Sequence, residues 1–463
     1  MSRAWRSRVR AILVLAAQLA LLGGCRAPER AAARAVILVD IDTLRADHLG
    51  IYGYSRATSP CLDAFGRGGV RFSWAFSQAP YTLPSQTSIL TSLYPSSHLV
   101  LHDADRLAPE RVTLAERFAG AGFTTGAFVD GGYLKPHFGL DQGFATYFDT
   151  NGGGVREAEP RIREWLGQHR EERFFLFLHT YDVHSPYSPP SPFRERFASL
   201  VAPPTPGFEP TSEALEAIRL SQYSATPNRL SENDLNYAQA LYDAEIAYVD
   251  AWFGRLLASL AELGLADSTV VAVVSDHGEE FAEHGSVLHE KLYSTVTHVP
   301  MLLAGAGLPR GREVSEVVEA IDLAPTLLDL AGIAVEKESN RRAPGAMEGE
   351  SLRGRIDGGA APSGEGAMAV VESPFFGVQR AWVDATHQLI VSLASGRAEL
   401  YRYREDRFEQ RDLSTTEPDD LRRLLGRLRR WGRDRPVAPL LEHEKVTLPA
   451  EVEASLRALG YLK

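Results

Sequence analysis

The sequence predicts an α/β fold: a mostly parallel central sheet flanked by helices, with a small α+β subdomain at the C-terminal end. Three observations predict it. Short, continuous apolar runs end in acids and histidines, the pattern of strands buried on both faces whose carboxyl ends open into a site. Helix-like stretches lie between these runs, the order expected of βαβ units. Towards the C-terminus the runs give way to alternating strands and then a charged amphipathic stretch.

The elements follow in chain order. "MSRAWRSRVR" is a basic region and "AILVLAAQLALL" an apolar one, too short for a membrane-spanning helix. It closes with "LLGGC", small residues before a cysteine, resembling a bacterial lipobox. The expectation is a lipoprotein signal peptide over 1–24, a lipid on Cys25 anchoring the chain to the membrane, and a tether over 25–34. Arg26 follows the cysteine, not an aspartate that would argue for inner-membrane retention. The expected location is the bacterial cell envelope, on the periplasmic side or on the surface of the outer membrane.

"AVILVDIDTLR" is the first buried strand, and "TTGAFVD", "RFFLFLHTYDVH" and "STVVAVVSDHGEE" are three more. "VTLAERFAGAG" and "LNYAQALYDAEIAYVDAWFGRLLASLAELG" read as helices between them. Residues 191–231, rich in Pro and Ser, form an excursion over the site. The catalytic domain is expected over 35–335 and a linker over 336–365. The subdomain, 366–463, takes in "MAVVESP", "QRAWVDATHQLIVSL", "AELYRYRE" and the helix "DLRRLLGRLRRWGRD".

Composition narrows the function. The chain has 463 residues, 44% hydrophobic, with a formal net charge of -11 and no basic stripe. Nucleic acid is excluded as a partner. Two cysteines, one of them Cys25, leave no disulfide framework. Cys61, without a neighbouring histidine or basic cluster, reads as a buried thiol.

In open α/β sheets, ligands bind beyond the carboxyl ends of the strands. Asp42 closes the first strand; Asp276 and His277 close another. "APYTLPSQTS" supplies a hydroxyl, Thr82, held between Pro80 and Pro84 just ahead of a helix, with Ser85 as the expected N-cap. A hydroxyl there faces exposed N–H groups and the positive end of the helix dipole. Asp42, Asp276, His277 and Thr82 make a mixed oxygen and nitrogen set for one divalent cation: Ca, Mg, Mn or Zn, with His277 tilting it towards Mn or Zn. Such a cation lowers the pKa of a bound hydroxyl and makes it a nucleophile.

At these residues the chain resembles the sulfatases of the alkaline phosphatase superfamily. "ILVDIDTLRADHLGIYGY", "TSPCLDAF", "FGLDQGFATYFD", "FLHTYDVHSPYSPP", "YDAEIAYVD", "VVSDHGEEFAEHG" and "AIDLAPTLLDLAGI" look like sulfatase landmarks in order, and "EQRDLSTTEPDDL" and "LRALGYL" fit the C-terminal subdomain. The departure falls on "TLPSQ". Sulfatases carry C-x-P-x-R there, with Cys or Ser oxidised to formylglycine. Thr82 replaces that residue and Gln86 the Arg; oxidation of a threonine would give a ketone, so formylglycine is not expected. Thr43 stands in place of a usual second Asp ligand, and His277 where many sulfatases have Asn.

The resemblance implies metal ligation by Asp42, Asp276, His277 and Thr82. It makes His184 a general acid or electrostatic clamp at the departing ester oxygen. It places His289 and Lys291 against the substrate oxyanion. His179, Asp182 and His284 are either a second metal site or supports of the first; Arg45 and Asp47 read as an internal salt bridge or a loop contact, and Gln86 as a donor near Thr82 or a polar helix face. The implied activity is metal-dependent hydrolysis of phosphate, phosphodiester or sulfate esters through a covalent Thr82 intermediate, on a phosphorylated or sulfated glycan, lipid or small molecule. The alternatives are a transferase of phospho groups to glycan or lipid hydroxyls, and an inactive lipoprotein binding anionic glycans.

Overall fold

The four strands read from the sequence are four adjacent parallel strands at the middle of one eight-stranded sheet. The structure is a computed structural model describing residues 32–459, except 223, 225–226, 336–342, 360–368, 374–377, 434 and 436–446. The expected signal peptide and Cys25 lie outside the described residues, as do most of the tether and part of the linker.

The strands are β1 (Ala35–Ile41), β2 (Val70–Phe76), β3 (Thr124–Val129), β4 (Thr146–Asp149), β5 (Phe174–Thr180), β6 (Thr269–Val274), β7 (Glu280–Phe281), β8 (Val287–Leu288), β9 (His298–Gly305) and β10 (Arg312–Glu319). The sheet runs β10-β2-β9-β6-β1-β5-β3-β4, while β7 and β8 form a separate hairpin. Only β9 runs antiparallel to its neighbours β2 and β6. Its sequence, "HVPMLLAG", contains Pro300, which cannot donate to a ladder and is tolerated at bulges. Pro300 does lie where the β2–β9 register shifts, between the pairs Val299–Ala75 and Met301–Phe72.

Alternation along β1 splits the core. Val36 and Leu38 face one layer, which includes Leu83, Ile89 and Leu90 of the helix Thr82–Thr91. Ile37 and Val39 face the other, with Leu241, Trp252 and Phe253 of the long helix Glu232–Glu262. Ser231 caps that long helix by accepting from the Asp234 N–H. The helix Leu114–Gly120 begins in a capping box of Thr113 and Glu116. Residues 191–231 are less irregular than expected, holding helices Phe193–Ala198 and Ser212–Ser221.

Near the C-terminus β11 (Ala369–Ser373), β12 (Gln379–Val383), β13 (Gln388–Ser392) and β14 (Ala398–Tyr401) form an antiparallel sheet in that order. The helix Pro418–Gly432 buries Leu424, Leu428 and Trp431, at helical spacing, against Trp382, Leu389 and Leu400. Tyr94 and Ile321 join that cluster, so the subdomain shares a core with the larger layer. The described residues from Ala33 onward form one compact unit.

One buried acid ties the two parts together. Ser294 Oγ lies 3.0 Å from both Gln388 Oε1 and Glu409 Oε1, one hydroxyl proton between two acceptors. Burial pushes the Glu409 carboxyl up to about 8, so at neutral pH it keeps a proton and donates to Ser294 Oγ, which donates onward to Gln388. A carboxyl raised in the folded state adds stability that is present below its unfolded pKa and is lost as pH rises through about 8. Thermal unfolding across pH 5 to 9 is expected to show a one-proton difference in slope between the native chain and Glu409→Gln, with the native chain losing more on the alkaline side. Identical slopes would contradict the protonated state.

Candidate active site

Register brings the acids together. Parallel pairing sets Asp40 opposite Val274, so Asp42 and Asp276, each two residues further on, emerge side by side from adjacent strands β1 and β6. The Asp42 N–H donates to the Thr180 carbonyl, 3.1 Å, holding the tip against β5. Thr43 then takes a left-handed conformation, φ 55°. Its N–H donates to Asp276 Oδ1 (3.3 Å) and its hydroxyl to the Val183 carbonyl (3.0 Å). Gly278 lets the chain after His277 pass close to its neighbour, since a Cβ there would lie 2.3 Å from the Thr295 carbonyl oxygen.

Thr82 is the first residue of its helix, one turn earlier than a Ser85 cap would place the start. Ser85 is therefore not the cap. Its hydroxyl donates to the Asp276 carbonyl (2.6 Å), fastening the Thr82 helix to the tip of β6. Thr82 Oγ1 lies 3.3 Å from Asp42 Oδ2 and 3.1 Å from His277 Nε2. Asp42, Asp276 and His277 are fully buried, and each offers a ligand atom within 4.8 Å of the others'.

These residues fit a divalent cation. Asp42 Oδ1 and Asp276 Oδ2 are buried without a hydrogen-bond partner, which is costly unless something positive sits there. Nδ1 of His277 donates to the Gly278 carbonyl, 3.0 Å, so its Nε2 lone pair faces Thr82 and the carboxylates. Burial pushes the Asp42 carboxyl well above its ordinary range, and the charges of Asp276 and Asp40 push it further. A bound cation reverses all three effects.

Asp40 is the residue that reading the strand ends alone misses. Fully buried, it accepts from Gln86 Nε2 (2.9 Å), and its Oδ1 has no partner. Burial, then the charge of Asp276, raise its carboxyl well above normal. Gln86 thus serves Asp40, not Thr82. The signal was present: Asp40 and Asp42 are two apart, on one side of a strand-like run.

Three histidines surround the acids. His179 Nε2 lies 3.3 Å from Asp42 Oδ2; burial, helped by His277, lowers its pKa to about 3, so it is a neutral donor that orients the carboxylate. His184 donates from Nδ1 to the Ser185 carbonyl (2.6 Å), and its ring lies 5.2 Å from that of His289. The His289 ring is 4.3 Å from that of His277, and its Nδ1 is 3.2 Å from Glu279 Oε1. Burial, then neighbouring imidazoles, hold both His184 and His289 well below the ordinary histidine value. The two rings line a groove of about 80 Å³, shared with Arg219 of the 191–231 excursion.

The remaining candidates lie elsewhere. Lys291 Nζ donates to the His284 carbonyl, 2.9 Å, and does not join the acids. His284 pairs with Glu280 and stacks on Tyr293, while Asp182 accepts from Thr180 and Val155. His179, Asp182 and His284 therefore do not gather as a second metal site among the described residues. Arg45, 1% exposed, is the structural ion pair expected, bridging Asp47 (2.8 Å) and Glu283 (2.6 Å). Cys61 is half-buried, not buried as its sequence suggested; burial and then Asp250 raise its thiol pKa, which favours the neutral thiol over the thiolate.

Comparison with known proteins agrees with this architecture. The sulfatase family model matches residues 34–333. Arylsulfatase K of Bos taurus is 24% identical over 313 residues, 59% of this chain and 58% of that protein. The chain thus spans less than two thirds of that relative's length. Among solved structures, phosphonate monoester hydrolase from Silicibacter pomeroyi superposes with a TM-score of 0.69 at 21% identity, covering 87% of this chain and 95% of that one. A protein solved in complex with its substrate D-glucosamine-2-N,6-O-disulfate gives 0.71 at 17% identity, covering 89% and 100%. At these identities the superpositions establish the fold.

Proposed function

This chain belongs to the sulfatase family, and on that premise we propose that it is a metal-dependent ester hydrolase whose nucleophile is the Thr82 hydroxyl. The observation that carries the reading is the position of Thr82 Oγ1, 3.3 Å from Asp42 and 3.1 Å from His277, beside two carboxylate oxygens without a hydrogen-bond partner. A divalent cation held by Asp42, Asp276, His277 and Thr82 would lower the pKa of that hydroxyl and offset the negative charge gathered during reaction.

The protein's own groups supply the rest. Thr82 Oγ, already pointing its proton at Asp42 Oδ2, gives it up as the oxygen bonds to the phosphorus or sulfur atom. The bond from that atom to the ester oxygen breaks, and the leaving oxygen takes a proton from Nε2 of His184. His184 is held neutral by burial and by His289, so the substrate's negative charge is what brings a proton onto it. Water then attacks the same atom in line with Thr82 Oγ and passes a proton to His184 Nε2. Thr82 Oγ departs and recovers its proton from Asp42.

A threonine ester has no elimination route comparable to that of a formylglycine hydrate. It must be broken by attack at the central atom, which suits phosphoryl transfer with positioned charge. We therefore favour phosphate mono- or diesters over sulfate esters. Aryl phosphate, phosphodiester and sulfate esters with one common leaving group test this: kcat/KM for the best phospho ester is expected to exceed that for the sulfate by at least about tenfold. A faster sulfate reaction would contradict it.

We also propose that the mature chain is held at the bacterial envelope through a lipid on Cys25, from the "LLGGC" sequence. Cys25→Ser should move the protein from the membrane fraction to the soluble one. Unchanged partitioning would reject the anchor.

A further inference from the structure

A cleft among the described residues opens beside the proposed reaction centre, and its chemistry is unlike that of an anion pocket. It encloses about 760 Å³ and reaches the centre through Tyr181 and His184. Asp130, Asp149, Asp182, Glu245 and Glu451 line it, against one ammonium, that of Lys135. Lys135 is already engaged, 2.8 Å from Asp149 and 2.9 Å from Asn151 Oδ1.

Glu245 points to a ligand. It comes from the long helix Glu232–Glu262, lines the cleft and is only 4% exposed. Its Oε1 accepts the Ser188 N–H at 2.5 Å, on the same loop as His184, while Oε2 is buried with no partner. Burial pushes this carboxyl well above its ordinary range, and a cation seated against the partnerless oxygen would reverse that shift and hold it ionised. Tyr181 and Tyr248 add aromatic rings to the same walls, and aromatic rings attract organic cations.

We propose that this cleft holds the leaving group of the substrate and selects an organic cation, an ester whose alcohol carries an ammonium group. The assignment rests on the reading of Thr82 as the nucleophile: the ester's anionic head meets Thr82, and its cationic tail lies against Glu245. A polyanionic glycan would meet five carboxyl groups in the same space and is disfavoured.

Two arms test it. In the first, the native protein is given the 2-(trimethylammonio)ethyl ester and its uncharged isostere, the 3,3-dimethylbutyl ester, of the same acid. The cationic ester is expected to be preferred at least about tenfold in kcat/KM. Glu245→Gln, which keeps an acceptor for Ser188, should bring the ratio close to one, and the exposed Glu451→Gln should lower it by a smaller factor. Equal rates in the native protein, or a ratio unmoved by Glu245→Gln, would overturn the proposal. In the second arm, tetramethylammonium binding is measured by calorimetry on Thr82→Ala. Binding that is weakened at least about tenfold by adding Glu245→Gln supports the cleft even if no ester turns over. Absence of binding, with esters still hydrolysed by the native protein, removes the cleft assignment and leaves the nucleophile standing.

Discussion

Thr82→Ala is expected to reduce turnover of any ester substrate by at least about 10³-fold, some 4 kcal/mol of transition-state stabilisation. The hydroxyl is the atom on which the reading converges: first in its helix, on the cationic end of the dipole, and within hydrogen-bond reach of both Asp42 and His277. Loss of the oxygen removes the covalent step altogether. Thr82→Ser restores an oxygen at the same place and is expected to stay within about tenfold of the native rate. That pair separates chemistry from folding, because the alanine variant loses a side chain that the hydrophobic layers do not rely on. Native-like, metal-dependent turnover in Thr82→Ala would end the covalent mechanism.

Removal of divalent cations is the second large effect. Chelated protein is expected to lose activity to background and regain it on addition of Mn, Zn, Mg or Ca, with Asp276→Asn failing to regain it. Stability should follow. Asp40 and Asp42 are raised in the folded chain by burial and by their neighbouring carboxylates, so without a cation their contribution is lost as pH rises through those raised values. A cation that binds only the folded state adds about 2.7 kcal/mol at a hundredfold excess over its dissociation constant. Its rise in melting temperature should therefore be larger at pH 8 than at pH 5, where protons compete for the same oxygens. A shift that shrinks with rising pH, or chelated protein that keeps its activity, would contradict the site.

The sequence made the centre of the fold legible because β1, β3, β5 and β6 are buried on both faces and read as unbroken apolar runs. The outer strands were harder. β2 mixes buried and half-exposed residues, and β9 carries Pro300 at a register shift that only its partner reveals. The meeting of Asp42 with Asp276 and His277 followed from strand ends, since adjacent parallel strands deliver their tips to one place. Asp40 is hidden inside "VDID", where only the last acid closes the strand. Lys291 and His284 turned away because their positions are set by a loop whose register no periodicity fixes. The acidic cleft could not be read at all. Its carboxyl groups come from Asp130, Asp149 and Asp182 beyond or at strand ends, Glu245 on the long helix, and Glu451 on the helix Ala450–Ala458.

Mass analysis of peptides from protein quenched with acid during turnover tests the central claim most directly. The account predicts a phosphoryl or sulfuryl group, according to the substrate, on the peptide containing Thr82, present only with a divalent cation and absent from Thr82→Ala. Steady turnover with that peptide unmodified, or the group on another residue, would contradict it.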